Sequence, residues 1–220
     1  MFKSKIDPNG DLSYLVNRRL GRVSIPHASM TGNDLSKFLS DSAGDKILLE
    51  FGCGGSTLLL AGTCKLIISV ESDRYFLNKV KSELYAKGLQ NRVRIYWANI
   101  GPTKTYGQPF AITRKLFEKR YRQYSLGVFE SFYETKNSNI VFVDGRFRVA
   151  CVMSSLLHVD GNFLLVVDDF FDRAYYKDIS KVLGNPTSRI SNTAIFDVDR
   201  QTIDFELVQQ FLNSYLSDPR

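Results

Sequence analysis

Two acidic residues and a glycine-rich turn carry the clearest chemical signal in this sequence. Glu50 closes the apolar segment 47–50, and small and hydroxyl residues follow it: Gly52, Gly54, Gly55, Ser56 and Thr57. Glu71 closes the next apolar segment, 19 positions after Gly52. A strand, a glycine turn and a helix let the backbone approach a nucleotide-like ligand, and an acidic residue ending the second strand binds its ribose. The pattern therefore predicts a site for a nucleotide-containing cofactor.

The turn itself distinguishes two cofactors that use this arrangement, a dinucleotide and S-adenosylmethionine. A dinucleotide turn requires glycine or alanine three residues after its second glycine, and this chain has Thr57 there. S-adenosylmethionine has no pyrophosphate. It needs hydrogen-bond acceptors for its amine and ribose, and the carboxylate of Glu50 is such an acceptor. The turn therefore favours S-adenosylmethionine. A nicotinamide cofactor and a tight turn without any ligand are the alternatives.

Regularly alternating elements must position these residues. Apolar segments predict strands at 47–51, 66–71, 93–98, 140–144 and 163–168, with shorter strands near 187–198. Helical spacing predicts helices at 57–62, 74–87, 147–157, 172–183 and 204–216. Short apolar strands separated by helices predict an α/β, Rossmann-like doubly wound fold. We expect a mostly parallel sheet of about seven strands with helices on both faces.

Polar residues follow three further predicted strands. Asn99 follows the third strand, Asp144 the fourth, and Asp168 and Asp169 the fifth. The carboxyl ends of parallel strands form one edge of the sheet, where open α/β sheets bind ligands, so these residues are expected beside the glycine turn. Arg146 and Arg148 follow Asp144. Either one of them holds a substrate carboxylate or phosphate, or they form salt bridges with the acidic strand ends.

Length and composition are those of an ordinary globular protein. The 220 residues are expected to form a single domain, 1–220, with 44% hydrophobic and 24% charged residues. No apolar run approaches the ~20 residues that span a bilayer, and the three cysteines are scattered without a paired motif. These features predict a cytoplasmic protein with no membrane span. The net charge of +6 is compatible with an anionic partner but does not indicate which kind.

Two segments interrupt the alternation. Residues 1–44 precede the first strand and are interpreted as an N-terminal cap segment with a helix near 31–39. Residues 101–139 form a long insertion rich in aromatic and basic residues, which is expected over the substrate site. The insertion is compatible with a lid over a small or glycan substrate, with a nucleic-acid surface, or with helices packed on the sheet edge.

Several motifs together carry a resemblance to a known family. They are Glu50–Thr57, Ser69–Arg74, Ile100–Thr103, Val143–Cys151 and Asp168–Phe170 with Arg173. On these motifs residues 47–184 resemble a sparsely characterised bacterial methyltransferase-like family within the class I S-adenosylmethionine-dependent methyltransferases. The resemblance implies S-adenosylmethionine binding and supplies no substrate.

The resemblance also implies roles for individual residues. Gly52 and Gly54 shape the cofactor turn, while Glu50 and Ser56 line the methionine end. Glu71 holds the ribose and Asn99 the adenine, although the family tends to have Asp at the position of Asn99. The candidates for orienting the substrate or acting as general base are Asp144 and Asp168, with Arg146 beside them.

A looser similarity links the chain to metal-dependent sugar and small-molecule O-methyltransferases. In those enzymes an Asp after the fourth strand and an acidic pair after the fifth hold a magnesium ion, and Asp144, Asp168 and Asp169 occupy comparable positions. The similarity implies Mg²⁺ bound by these three residues. The alternative is that Asp168 caps the following helix and Asp144 pairs with Arg146 or Arg148.

The expected function is S-adenosylmethionine-dependent methylation, most simply of an oxygen on a small molecule or sugar. The alternatives are an NAD-dependent oxidoreductase and a non-catalytic S-adenosylmethionine-binding protein. A nucleic-acid acceptor is disfavoured. The amino-group DNA methyltransferases carry an Asp-Pro-Pro-Tyr or Asn-Pro-Pro-Tyr motif after the fourth strand, and this chain has neither. The sequence leaves the acceptor and the oligomeric state open.

Overall fold

The computed structural model describes residues 8–20, 22, 32–110 and 114–219. Within these residues the strands are β1 (Ile47–Phe51), β2 (Leu66–Glu71), β3 (Val93–Trp97), β4 (Ile140–Val143), β5 (Phe163–Val167), β6 (Ser188–Ile190) and β7 (Thr193–Val198). The α-helices are α1 (Pro8–Arg19), α2 (Gly32–Ala43), α3 (Gly55–Leu60), α4 (Arg74–Ala86), α5 (Arg114–Ser131), α6 (Arg148–His158), α7 (Lys177–Leu183) and α8 (Phe205–Tyr215). The five longer predicted strands agree with β1–β5 to within one residue at each end.

The strands form one mixed sheet in the order β3-β2-β1-β4-β5-β7-β6. Strands β1 to β5 are mutually parallel, and β7 runs antiparallel to both β5 and β6. The predicted doubly wound, mostly parallel sheet is therefore confirmed. The strand order reverses between β1 and β4, and open α/β sheets bind ligands at such a switch point.

Helices cover both faces of the sheet, because the strands are apolar on both sides. Leu48 of β1 packs on one face with residues of α2, α3 and α4. Leu49, the next residue, packs on the other face with residues of α5, α6, α7 and α8. Successive side chains of a strand point to opposite faces, so a strand buried on both sides reads as a continuous apolar run.

The segment 101–139 contains α5, the helix that connects β3 to β4. Its residues Tyr121, Tyr124 and Val128 are almost completely buried against the sheet. Their spacing of three and four residues places them on one helix face. Much of the aromatic content of this segment therefore belongs to the core, and only part of the segment lies near the sheet edge where the candidate site is found.

The predicted helix 172–183 begins later than the sequence indicated. Residues 170–172 and 174–176 form single 3₁₀ turns, and α7 starts at Lys177. Asp169 has a positive φ of 55° just before these turns, which prevents a helix from starting directly after β5. None of the helices in the described part of the chain is long and apolar enough to cross a membrane.

Candidate functional site

A cavity of about 670 Å³ opens at the carboxyl ends of the parallel strands. Residues that follow β1, β2, β4 and β5 contribute to its wall, among them Gly52, Cys53, Glu71, Ser72, Asp73, Asp144, Gly145, Arg146, Arg148 and Asp169. Further wall residues come from α1 and from the segment after β3, among them Tyr14, Asn17, Tyr106 and Gly107. The volume lies within the range of small-molecule sites.

The glycine turn after β1 is held directly against the turn after β4. Gly52 has φ +108°, and a Cβ atom added there would lie 2.8 Å from the Cα and N of Gly145. The Gly52 N–H donates to the carbonyl of Val70 on β2 at 3.0 Å. Both the backbone conformation and the close approach therefore require glycine at position 52.

Glu50 organises the turn from behind the cavity. Its side chain is completely buried and accepts hydrogen bonds from the hydroxyls of three residues, Ser56, Thr57 and Ser69. The Thr57 hydroxyl donates to Glu50 at 2.5 Å and accepts the N–H of Gly54 at 2.8 Å. Burial raises the pKa of Glu50, and the three hydroxyl donors oppose this rise. Glu50 and Ser56 do not lie on the cavity wall, where a role at the methionine end would place them.

Glu71 lies on the cavity wall at the end of β2. One carboxylate oxygen, Oε1, accepts the backbone N–H groups of Ser72 at 2.6 Å and Asp73 at 2.7 Å. Within the described residues Oε2 accepts no hydrogen bond. Burial raises the pKa of Glu71 to about 7, a rise that the bond from the Asp73 N–H opposes and the charge of Asp73 reinforces. Glu71 thus combines a fixed orientation with an oxygen available to a ligand.

Helix α1 is attached to the cavity rim through Asp73. One oxygen of Asp73 caps α4 by accepting the N–H groups of Tyr75 and Phe76. Its other oxygen accepts the Tyr14 hydroxyl at 2.5 Å and the Arg18 guanidinium at 3.4 Å. Side chains of α1 therefore close one side of the cavity, although nothing in the local sequence of α1 predicted this.

Arg148 joins the loops that follow β4 and β5. Its side chain is only 5% exposed and pairs with the carboxylates of Asp144 at 3.1 Å and Asp169 at 3.3 Å. It also donates to backbone carbonyls of both loops, those of Asp144, Gly145 and Asp168. Arg148 is thus a structural cross-link between the two acidic strand ends.

Asp144 faces the cavity between Arg148 and Asp168. Its side chain is 39% exposed because it opens into the cavity, although protein surrounds it on the other sides. Burial raises the pKa of Asp144 to about 7; the charge of Arg148 lowers it, and the charge of Asp168 and a hydrogen bond to it raise it. A carboxyl group with this pKa changes charge near neutral pH, as a general base requires.

The three aspartates that resemble a magnesium site do not fit a metal ion. The Asp169 oxygen that faces Arg148 also pairs with Arg173 at 2.9 Å. One oxygen of Asp168 accepts the hydroxyl of buried Thr193 at 2.6 Å. A guanidinium between the carboxylates supplies the charge that a cation would supply. In the described part of the chain no group of three or more His, Cys, Asp or Glu could hold a metal. The magnesium prediction is thus not supported.

Arg146 lies on the cavity wall beside Tyr124. The backbone N–H of Arg146 donates to the Tyr124 hydroxyl at 3.3 Å, and Tyr124 also lines the cavity. The side-chain Nε of Arg146 is buried and has no hydrogen-bond partner within the described residues. Burial and the nearby charge of Arg148 lower the pKa of Arg146. This arginine, unlike Arg148, is not committed to a salt bridge with the acidic strand ends.

Asn99 is half-buried and does not line the cavity. Its side-chain oxygen accepts the backbone N–H of Gly101 at 3.3 Å. The bond holds the side chain within its own loop, so adenine binding by that oxygen would require this contact to be exchanged for one with the ligand.

Comparison with known proteins places this geometry in a family. The chain is similar to a methyltransferase-like protein from Silicibacter pomeroyi DSS-3, with 30% identity, coverage of 90% of this chain and 97% of that chain, and a TM-score of 0.73. The chain belongs to this methyltransferase-like family. The predicted resemblance to a bacterial methyltransferase-like family is thereby confirmed.

A more distant likeness concerns the fold. A methyltransferase from Geobacter sulfurreducens is 14% identical, with coverage of 90% of this chain and 93% of that chain and a TM-score of 0.50, which shows the fold alone. No protein-family model and no curated protein matches the sequence.

Within the methyltransferase-like fold, the structure brings together only some of the residues that the motifs indicated. The predicted residues on the cavity wall are Gly52, Glu71, Asp144, Arg146 and Asp169, whereas Glu50, Gly54, Ser56 and Asn99 do not line it. Asp168 does not line the cavity; it contacts Arg148, Thr193 and Asp144, which hold it beside the wall.

Sequence reasoning gave no site role to several residues of the wall, among them Tyr14, Asn17, Ser72, Tyr106 and Tyr124. Ser72 had a local signal because it follows the acidic end of a strand, and Tyr106 and Tyr124 lie in the insertion expected over the substrate site. The others depend on how distant segments pack, and no spacing rule could have identified them.

Proposed function

We propose that this methyltransferase-like protein binds S-adenosylmethionine across the cavity and transfers its methyl group to an oxygen of a small-molecule or sugar acceptor. The observation that carries the proposal is the position of Glu71 and Asp144 on the same cavity wall, with the glycine turn between the strands that bear them. One residue has an oxygen available to a ribose, and the other is a carboxyl group suited to proton transfer.

The cofactor side of the cavity is the side formed by β1 and β2. Glu71 accepts ribose hydroxyls through Oε2, because Oε1 is occupied by two backbone N–H groups. Gly52 lets the bound nucleoside approach the backbone without a side chain in between. Glu50 accepts hydrogen bonds from Ser56 and Thr57. It therefore fixes the shape of the turn and does not contact the cofactor directly.

The acceptor side is the side formed by β4 and β5, with Asp144 at its edge. Bound S-adenosylmethionine supplies a methyl group on a positively charged sulfur. As the acceptor oxygen forms its bond to the methyl carbon, the carbon–sulfur bond breaks and its electron pair stays on sulfur. Asp144 takes the proton of the acceptor hydroxyl, while the cavity aligns oxygen and methyl and excludes water.

Magnesium has no part in this proposal, because Arg148 and Arg173 occupy the carboxylates that would bind it. We expect EDTA to leave methyl transfer unchanged. If EDTA abolished methyl transfer and added Mg²⁺ restored it, the reaction would require a metal ion.

Calorimetry with S-adenosylmethionine, S-adenosylhomocysteine and NADH tests the cofactor assignment. We expect both sulfur compounds to bind and NADH not to bind. Binding of NADH without either sulfur compound would replace the proposal with the oxidoreductase alternative. Transfer of a labelled methyl group to a mixture of hydroxylated small molecules and sugars then tests catalysis. Cofactor binding with no transfer to any of them would favour the non-catalytic alternative.

A further inference from the structure

The cavity wall carries acidic groups at both ends, whereas three of its arginines lie together beside Asp144 and Asp169. Acidic side chains, those of Glu71 and Asp73, line it where β2 ends. Three guanidinium groups, those of Arg146, Arg148 and Arg173, line it on the side of β4 and β5. A ligand that spans the cavity therefore meets three guanidinium groups and the carboxylates of Asp144 and Asp169 at its acceptor end.

Two of the three guanidinium groups are already neutralised. Arg148 lies between the carboxylates of Asp144 and Asp169. Arg173 pairs with Asp169 at 2.9 Å and donates to the Tyr175 hydroxyl at 3.1 Å. The carboxylates compensate the positive charge of both guanidinium groups, so neither group is free to bind an anionic ligand.

Arg146 differs from both. Within the described residues its side chain forms no salt bridge and donates no hydrogen bond, and its buried Nε has no partner. A buried N–H donor without a partner is costly, and an anion in hydrogen-bond contact with it removes that cost. The guanidinium offers several N–H donors that suit a carboxylate or phosphate.

The Tyr124 hydroxyl adds a second donor beside Arg146. Its oxygen accepts the Arg146 backbone N–H at 3.3 Å, so the hydroxyl hydrogen remains for a ligand in the cavity. The hydroxyl reaches this position only because residue 145 is glycine, since a Cβ atom there would lie 2.0 Å from it. Helix α5 thus brings a donor to the turn that carries Arg146.

We propose that Arg146 and Tyr124 bind an oxyanion of the methyl acceptor, a carboxylate or a phosphate group. The inference rests on the proposed function and narrows its substrate class to hydroxylated small molecules or sugars that carry such a group. Arg146 is two residues from Asp144, so an acceptor anchored there presents a neighbouring hydroxyl to the general base.

The cofactor itself carries a carboxylate, which is the competing partner for Arg146. The order of the strands argues against it. Glu71 on β2 fixes the ribose on one side of β1, whereas Arg146 follows β4 on the opposite side. The acceptor must enter beside Asp144, which lies on the same side as Arg146.

NMR of the arginine Nε–H groups tests the inference directly. A buried Nε–H exchanges slowly with water, and Arg146→Gln identifies the Arg146 resonance by its disappearance. The protein saturated with S-adenosylhomocysteine is titrated separately with sodium formate and sodium phosphate. We expect a saturable shift of this resonance, and the more tightly bound anion distinguishes a carboxylate from a phosphate acceptor.

Tyrosine variants provide the matched comparison. Tyr124→Phe removes the proposed donor and is expected to weaken anion binding by roughly tenfold. Tyr121→Phe changes a neighbouring buried tyrosine of α5 that does not line the cavity, and is expected to leave anion binding unchanged. Equal weakening in the two variants would overturn the role of Tyr124.

Two further results would overturn the inference as a whole. One is the absence of a saturable shift with either anion in protein that binds S-adenosylhomocysteine normally. The other is a shift caused by S-adenosylhomocysteine alone that then prevents anion binding, because Arg146 would then serve the cofactor carboxylate. Both leave the proposed function standing, whereas failure of S-adenosylhomocysteine to bind would remove the proposed function itself.

Discussion

Gly52 and Gly145 are in backbone contact, so that a Cβ on Gly52 would lie 2.8 Å from the Cα of Gly145. One residue belongs to the turn after β1 and the other to the turn after β4. The contact leaves no room for a side chain between the two turns. It therefore sets the distance between the proposed cofactor turn and Asp144, which directly precedes Gly145.

The first prediction concerns this contact. Gly52→Ala introduces a side chain at φ +108° and against Gly145, so we expect a loss of stability of about 1–3 kcal/mol. Binding of S-adenosylhomocysteine should fall below detection. Gly62→Ala is the matched control, because a Cβ there meets no atom within 4 Å. Urea denaturation and calorimetry measure both effects, and normal cofactor binding by Gly52→Ala would contradict the prediction.

A second prediction follows from the hydroxyl of Thr57. Thr57→Val removes a donor to Glu50 and the acceptor of the Gly54 N–H, leaving two buried polar groups short of a partner. Each such group costs about 1–3 kcal/mol, so we expect the free energy of unfolding to fall by at least that amount. Thr63→Val, at an exposed position near the end of α3, should change it by less than about 0.5 kcal/mol. Equal stability of the two variants in urea would refute the argument.

Thr57 also illustrates how far the sequence could be interpreted. The spacing of the turn favours S-adenosylmethionine over a dinucleotide because a larger residue stands where a dinucleotide turn needs glycine or alanine. The positive role of the hydroxyl depends on Glu50 and Ser69, which meet only when β1 and β2 pair. Local patterns therefore predicted the strands, the glycine turn and the sheet edge expected to bind the cofactor. They could not predict which polar side chains form buried hydrogen bonds with one another.

The acidic strand ends show the same limit. The motif does not distinguish Arg146 from Arg148, and it allows a metal site at Asp144, Asp168 and Asp169. The loop after β5 decides between these possibilities, since it brings Asp169 to Arg148 and Asp168 to Thr193. Similarly, α1 reaches the cavity through Tyr14 and Asp73, which are 59 positions apart. Contacts over such separations leave no trace in sequence periodicity.

A third prediction tests Arg148 as a structural cross-link. Arg148→Lys keeps the charge but cannot reach both carboxylates and the three carbonyls at once, so we expect a loss of about 3–5 kcal/mol. Arg94→Lys alters an exposed pair with Glu134 and should leave the free energy of unfolding nearly unchanged. Thermal and urea denaturation compare the two. A loss in Arg148→Lys no larger than in Arg94→Lys would show that the cross-link is unimportant.

A fourth prediction separates ligand binding from stability at Glu71. Glu71→Gln keeps an oxygen for the two backbone N–H groups and removes the charged oxygen proposed for the ribose. We expect affinity for S-adenosylhomocysteine to fall by roughly tenfold to a hundredfold. Glu83→Gln, on the exposed side of α4, is the control and should bind normally.

The stability of the same variant should change in the opposite direction. Burial raises the pKa of Glu71 from 4.5 to about 7, so ionisation costs the folded state more than the unfolded state. The free energy of unfolding of the wild type should therefore fall relative to Glu71→Gln as the pH rises from 4.5 towards 7. A lower melting temperature of the unliganded variant at pH 8 would show that Glu71 is mainly structural.

The last prediction concerns Asp144 as the general base. Because burial raises its pKa to about 7, the carboxyl is protonated and inactive at lower pH, and kcat/KM should rise with pH through about 7 and then level off. Asp144→Asn keeps the shape, so it should bind S-adenosylhomocysteine normally but lose roughly 10²–10⁴-fold in kcat. Its residual rate should lack the rise near pH 7, which a purely structural role of Asp144 would not remove. Labelled methyl transfer at saturating cofactor measures both profiles across pH. An Asp144→Asn variant with the wild-type rate and pH profile would exclude Asp144 from proton transfer and leave alignment of the acceptor as the main contribution of this wall.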